Sequence, residues 1–138
     1  MIKLVASDLD GTLLHNYQQT VPKEIYDTIK ALHEKGIIFI AASGRQYANI
    51  RRLFAPLGFD IPYIAENGSL CIYKEEVLAT GLTPSKTIRH ILDALMEYRK
   101  IYHTGHCILS VKDTYYSDST DERFIDYMEN DMHNIVTY

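Results

Sequence analysis

The sequence has few cysteines, no excess of positive charge, no long apolar run and no internal repeat. Cys71 and Cys107 stand alone in apolar stretches, which reads as two reduced, buried thiols rather than a disulfide. Histidines are scattered, with His103 and His106 the closest pair, and no neighbouring cysteine pair makes a zinc site of them. The formal net charge is −4 at pH 7, so no basic surface points to nucleic acid or to an anionic membrane. An acidic chain can still bind phosphate, because backbone amides and a metal ion supply positive potential locally. No apolar run is long enough to cross a bilayer, and Met1-Ile2-Lys3-Leu4-Val5 starts directly as a strand without a signal peptide. A cytoplasmic location is therefore expected. At 138 residues and 46% hydrophobic content the chain can bury a core, yet it is short for two complete domains.

What is present is an alternation of strand and helix signals. Ile2 to Ser7 is an apolar run ending in Asp8, read as a buried parallel strand. Pro22 marks a first helical turn, Ile25, Ile29 and Leu32 form a helical stripe, and Gly36 ends it. Ile37 to Ala42 is a second apolar strand. Ser43-Gly44-Arg45 follows, then a helix with Ile50, Leu53, Phe54 and Leu57 on one face and Gly58 at its end. Pro62 to Ala65 and Ser69 to Tyr73 read as further strands, the latter reached through Asn67-Gly68. This order predicts crossover units and a parallel sheet. The character changes near Gly81 to Pro84, the expected boundary between residues 1–81 and 82–138. Beyond it the pattern predicts a helix with Ile88, Ile91, Leu92 and Leu95 facing inward and a strand near Cys107 to Val111. A hairpin through Tyr115-Tyr116, a helix around Glu122 to Glu129 and a strand from Ile135 complete the reading.

The strongest chemical signal is Asp8-Leu9-Asp10-Gly11-Thr12 directly after a buried strand. Ligands of open α/β sheets bind beyond the carboxyl ends of the strands, where both carboxylates would project. One aspartate can act as a nucleophile or hold a cation while the other exchanges a proton with a leaving group. A calcium loop is a poor alternative, since its later acidic ligands are replaced by Leu13, Leu14 and Tyr17; a simple turn remains open. At the end of the second strand, Ser43 and Gly44 offer a hydroxyl and a bare amide at an expected helix N-terminus, a cradle for a phosphate oxygen. Ser43 as an ordinary N-cap is the plainer reading, and its place one crossover from the aspartate pair favours the cradle.

Together, Ser7-Asp8-Leu9-Asp10-Gly11-Thr12-Leu13-Leu14, Ala42-Ser43-Gly44-Arg45 and Glu66-Asn67-Gly68 resemble the haloacid dehalogenase superfamily and, within it, the Cof-like sugar-phosphate phosphatases. The resemblance implies an α/β fold with a Rossmann-like parallel-sheet core over residues 1–81, followed by part of an α/β cap over 82–138. It implies that Asp8 attacks phosphorus and that Asp10 protonates the leaving oxygen and then activates water. Magnesium (Mg2+) would be held by the Asp8 carboxylate and the Asp10 backbone carbonyl. Thr12, Ser43 and Gly44 would bind the phosphoryl group, and Arg45 and Asn67 would orient substrate or loops. The implied substrate is a small phosphorylated metabolite of the sugar-phosphate type, with neither nucleic acid nor membrane as partner.

Two motifs of that family have no counterpart here, a lysine that neutralises the nucleophile and a Gly-Asp…Asp cluster that completes the metal site. Lys112 and Asp113 lie in the cap-like region and do not replace them, and Asp118, Asp121 and Glu122 read as a solvated helix start. The chain is therefore expected to be an N-terminal portion, truncated and poorly active alone. Its first strand would be an uncovered apolar edge open to self-association. A receiver-type signalling domain is disfavoured because Ser43 stands where an acidic group would be sought. A non-catalytic phosphate-binding or interaction module is the remaining alternative, separated from an enzyme by phosphate release.

Overall fold

The computed structural model describes residues 1–15, 18–111 and 114–138. Tyr17, Lys112 and Asp113, weighed above on sequence grounds, lie outside the described residues. The chain divides into two compact units, Met1–Gly81 and Leu82–Tyr138. The fold is α/β, and no helix among the described residues is long and apolar enough to cross a membrane.

In the first unit a five-stranded sheet runs in the order β1-β2-β3-β4-β5. Its strands are β1 (Leu4–Asp8), β2 (Ile38–Ala42), β3 (Tyr63–Ala65), β4 (Leu70–Tyr73) and β5 (Glu76–Thr80). β1, β2 and β3 are parallel, whereas β4 and β5 continue the sheet antiparallel. The parallel part needs crossovers, supplied by helices α1 (Lys23–Glu34) and α2 (Tyr47–Phe54). α1 begins after Pro22, which is the N-cap rather than a first-turn residue, and carries Glu24 where the helix dipole is positive. It stops at Gly36, whose φ of +69° lets the Gly36 and Ile37 amides fold back onto the His33 and Leu32 carbonyls, both at 2.9 Å. α2 runs into a short 3-10 turn over Ala55–Leu57 that ends at Gly58.

The core lies between the helices and the parallel strands, with Leu9, Leu14, Ile29, Phe39, Ala41, Ile50, Leu53 and Phe54 buried together. The Phe54 ring meets those of Phe39 and Tyr63 at centroid distances of 6.0 and 6.5 Å. Burial pushes the Tyr63 phenol up to about 12. β5 is an element that the sequence reading passes over. Its hairpin turns through Lys74 and Glu75, both with positive φ, where glycine or asparagine would normally announce such a turn.

In the second unit, helix α3 (Ser85–Tyr102) precedes a three-stranded sheet of order β6-β7-β8, with β6 at Leu109–Val111, β7 at Thr114–Tyr116 and β8 at Val136–Thr137. β6 and β7 are antiparallel and β7 and β8 parallel. Ile88, Leu92 and Leu95 of α3 are half-buried, but Ile91, expected to face inward, is 55% exposed. Ile91 follows Ile88 by three residues and precedes Leu92 by one, so it sits on the flank of the stripe that the other three define. Helix α4 (Glu122–Asp126) is capped by Asp121, whose side chain accepts from the Arg123 and Phe124 amides, and it passes into a π-helical turn over Tyr127–Asp131. Asp118 is not part of a solvated helix start. Its carboxylate forms a two-point pair with Arg99 at 2.6 and 2.9 Å.

Candidate active site

Parallel register places the site. Asp8, the last residue of β1, is opposite Ala42, the last of β2, and Ala42 is opposite Ile64 in β3. The loops at 9–14, 43–46 and 66–69 therefore all leave the same edge of the sheet. That edge, beyond the carboxyl ends of parallel strands, is where α/β sheets bind ligands.

The first loop is a tight turn gathered around one carbonyl. The amides of Thr12, Leu13 and Leu14 all point at the Leu9 carbonyl, at 3.1, 2.9 and 2.8 Å. Gly11 adopts φ +82°, which side-chain-bearing residues rarely do, and its amide reaches the Leu14 carbonyl at 2.7 Å. Leu9 and Leu14 anchor the turn in the core, at 0% and 1% exposure, while Asp8, Asp10 and Thr12 are exposed. Apolar anchoring thus holds the polar residues outward. The Asp8 carboxylate accepts the Leu9 amide at 2.8 Å through Oδ1, and its Oδ2 makes no hydrogen bond to the described residues.

The second loop crosses beside it. Ser43 is buried, its amide donates to the Ile64 carbonyl at 2.8 Å, and its hydroxyl oxygen accepts the Arg45 amide at 3.1 Å. The N-cap of α2 is Gln46, three residues further on, so Ser43 and Gly44 are not at a helix N-terminus as expected. What Ser43 caps is a local turn, and its O–H remains available as a donor. Gly44 lies under the third loop. A Cβ there would meet the Asn67 Oδ1 at 2.7 Å, so only glycine admits the Asn67 side chain in this position. Asn67, at φ +55°, donates its amide to the Ser43 carbonyl at 3.3 Å, and Glu66 donates its amide to the Arg45 carbonyl at 3.1 Å. The Ser43-Gly44-Arg45 and Glu66-Asn67-Gly68 segments are thus one interlocked unit.

Arg45 does not point out of this edge. Its side chain is 4% exposed and grips both oxygens of Asp10, with Nε to Oδ2 at 2.8 Å and an Nη2 to Oδ1 at 2.6 Å. Behind it stand Gln18, Gln19 and Asn49. None of these three belongs to a recognisable motif, although Asn49 follows Arg45 by four residues, a helical spacing that links the two in the sequence.

The donor set suits a hard oxygen-seeking cation, since Asp8 Oδ2 is open and the Asp10 backbone carbonyl lies in the same turn. Among the described residues no group of three or more His, Cys, Asp or Glu side chains gathers for a metal.

The sequence pattern of the haloacid dehalogenase-like hydrolases matches residues 5–138, almost the whole chain. This chain belongs to that family. Among its relatives, phosphoglycolate phosphatase 1 of Saccharolobus solfataricus is 39% identical over 77 residues, covering 55% of this chain and 34% of that protein. The phosphoglycolate phosphatase of Staphylothermus marinus is 34% identical over 102 residues, 72% of this chain and 42% of its own length. A haloacid dehalogenase-like hydrolase from B. subtilis shares the fold, with a TM-score of 0.75 at 24% identity over 91% of this chain and 42% of that one. The chain thus spans less than half the length of these relatives.

Proposed function

We propose that this chain carries the phosphate-accepting site of a magnesium-dependent, Cof-like phosphatase that hydrolyses phosphate monoesters of small metabolites, sugar phosphates being the default class. The observation that carries the reading is Asp8, an exposed carboxylate with an open oxygen at the end of β1, in register with the strand that leads into Ser43 and Gly44. The phosphatase names of the relatives above support it. The break between the compact units at Gly81 and Leu82 supports assigning residues 1–81 to the catalytic core and 82–138 to part of a cap.

In this mechanism one oxygen of the Asp8 carboxylate attacks phosphorus and the bond to the leaving oxygen breaks, while Asp10 gives that oxygen a proton. Water then attacks the aspartyl-phosphate, Asp10 takes its proton, and the bond between phosphorus and Asp8 opens. The Thr12 and Ser43 hydroxyls and the Gly44 amide hold the phosphoryl oxygens, and Asn67 orients the substrate over Gly44. Bound magnesium, held by Asp8 and the Asp10 carbonyl, would neutralise charge that develops on the phosphoryl oxygens. On this reading the chain alone would turn over slowly. β1 is an edge strand bearing Leu4 at 48% exposure, which supports self-association by strand pairing.

The test is phosphate release from an aryl phosphate with magnesium, beside Asp8→Asn. Release should fall at least about ten-thousandfold in the variant, as for nucleophiles elsewhere. Phosphate binding without release in either protein supports a non-catalytic phosphate-binding module instead. Stable acid-labile phosphorylation without turnover supports a signalling role.

A further inference from the structure

The guanidinium of Arg45 is fully committed. A guanidinium has five N–H donors. In this structure Nε and one Nη2 donor go to the Asp10 carboxylate, the Nη1 donors go to Gln19 Oε1 at 3.1 Å and Asn49 Oδ1 at 3.3 Å, and the other Nη2 donor goes to the Gln18 carbonyl at 3.4 Å. Of these partners only Asp10 carries a charge. An exposed ion pair would deserve little weight, but a guanidinium this buried is costly unless paired, so the contact belongs to the architecture rather than to a passing rotamer. The braces come from the segment before α1 and from α2, which sets the Arg45 position independently of Asp10.

Arg45 therefore has no donor left for a phosphoryl oxygen. Asp10 does have capacity left. A carboxyl group has about four lone-pair sites and the two-point contact uses one on each oxygen, which leaves a site for the proton that Asp10 transfers. The Asp10 side chain is 49% exposed, so the carboxyl group remains accessible from outside.

We propose that Arg45 is a positioning residue that fixes the rotamer and plane of the Asp10 carboxylate, and that it does not touch substrate itself. This rests on the phosphatase reading above for the role of Asp10, and replaces the expectation that Arg45 orients substrate directly. Two-point contact defines both direction and plane, whereas a lysine in the same place supplies charge at a single point.

The test combines a double-mutant cycle with a measurement that needs no turnover. In the intact protein, Arg45→Met and Arg45→Lys should each lower kcat on the order of a hundredfold, the scale of a misplaced reacting group, with KM little changed. In an Asp10→Asn background, Arg45→Met should lower kcat no further, because its whole effect passes through Asp10. Should Arg45→Met not fold, Gln19→Ala removes one brace and keeps both charges; its smaller loss should likewise vanish in the Asp10→Asn background. A raised KM with kcat preserved, losses that multiply across the cycle, or full rescue by lysine would each overturn the proposal. Independently, the Arg45 Nε–H should give a protected resonance in a proton–nitrogen correlation spectrum. That resonance should shift and exchange faster with water in Asp10→Asn, which removes the carboxylate partner of Nε while the other braces stay, and persist in Asp8→Asn. An unchanged Arg45 signal in Asp10→Asn sinks the clamp even where turnover is absent. A protein that shows the clamp signal but releases no phosphate sinks the phosphatase reading instead.

Discussion

The two compact units use similar elements and bury them very differently. In Met1–Gly81 the hydrophobic cluster is continuous from Leu9 to Ala65, and both crossover helices lay buried residues against it. In Leu82–Tyr138 the buried hydrophobic residues among those described are Tyr115 and Met128, and α3, the longest helix of the chain, buries none of its residues fully. α3 is held as a helix by local means. Pro84 starts it, and His103 ends it in a left-handed conformation with its amide on the Arg99 carbonyl at 2.9 Å. The difference teaches that an amphipathic pattern is enough to make a helix but says nothing about how much of the stripe is covered. Packing carries the first unit, and less of it is present among the described residues of the second.

Substitutions can break or sharpen that contrast. Phe54→Ala should have the largest effect, about 3 to 5 kcal/mol in urea unfolding, since its ring is 1% exposed between Phe39 and Tyr63. Met128→Ala in the second unit should lie near the low end of the range for buried methionine, about 2 kcal/mol, because Tyr115 is the other buried hydrophobic residue described there and a small cluster can collapse. Equal losses at the two sites would remove the contrast. Alkaline titration should separate the units next. A phenol raised to about 12 by burial keeps its stabilising neutrality below the unfolded value near 10, and that contribution is lost as pH rises through the folded value. The first unit should therefore loosen between about pH 10 and pH 12, and Tyr63→Phe should flatten that decline.

Smaller effects belong to the second unit. Asp121→Ala removes the α4 cap and should cost about 1 kcal/mol, read as faster amide exchange at Arg123 and Phe124. Asp118→Asn should have the least effect. The hydrogen bond from Arg99 holds the Asp118 carboxyl below the usual carboxylate range. A depressed carboxylate contributes stability above its unfolded value near 4, and that contribution disappears as pH falls through the folded value. The wild type and Asp118→Asn should therefore differ slightly at neutral pH and converge in acid. A difference that persists in acid would show that the pair is not its source.

Much of the site is legible before any coordinates. Asp8 and Asp10 follow an apolar strand, and Ser43-Gly44-Arg45 follows another, so both loops belong at the same sheet edge once the strands are parallel. The antiparallel β5 is hidden because Lys74 and Glu75 make its turn without the usual residues. Ile91 is misjudged because a stripe drawn from spacing has no sharp border. Ser43 is misjudged as a helix start because the chain makes one more turn before Gln46.

By itself, then, the sequence determined the order of the elements from β1 to β4, their strand and helix periods, and the glycine-dependent turn at Gly11. These follow from local dihedral preference and from the spacing of apolar side chains, which act over a few residues. Tertiary structure alone decided that Arg45 turns inward to Asp10, 35 positions away, and that Asn67 lies over Gly44. Such pairs depend on the register of β1, β2 and β3, which is set by a ladder of backbone hydrogen bonds between distant segments. A shift of one residue in that ladder would carry every side chain to the opposite face.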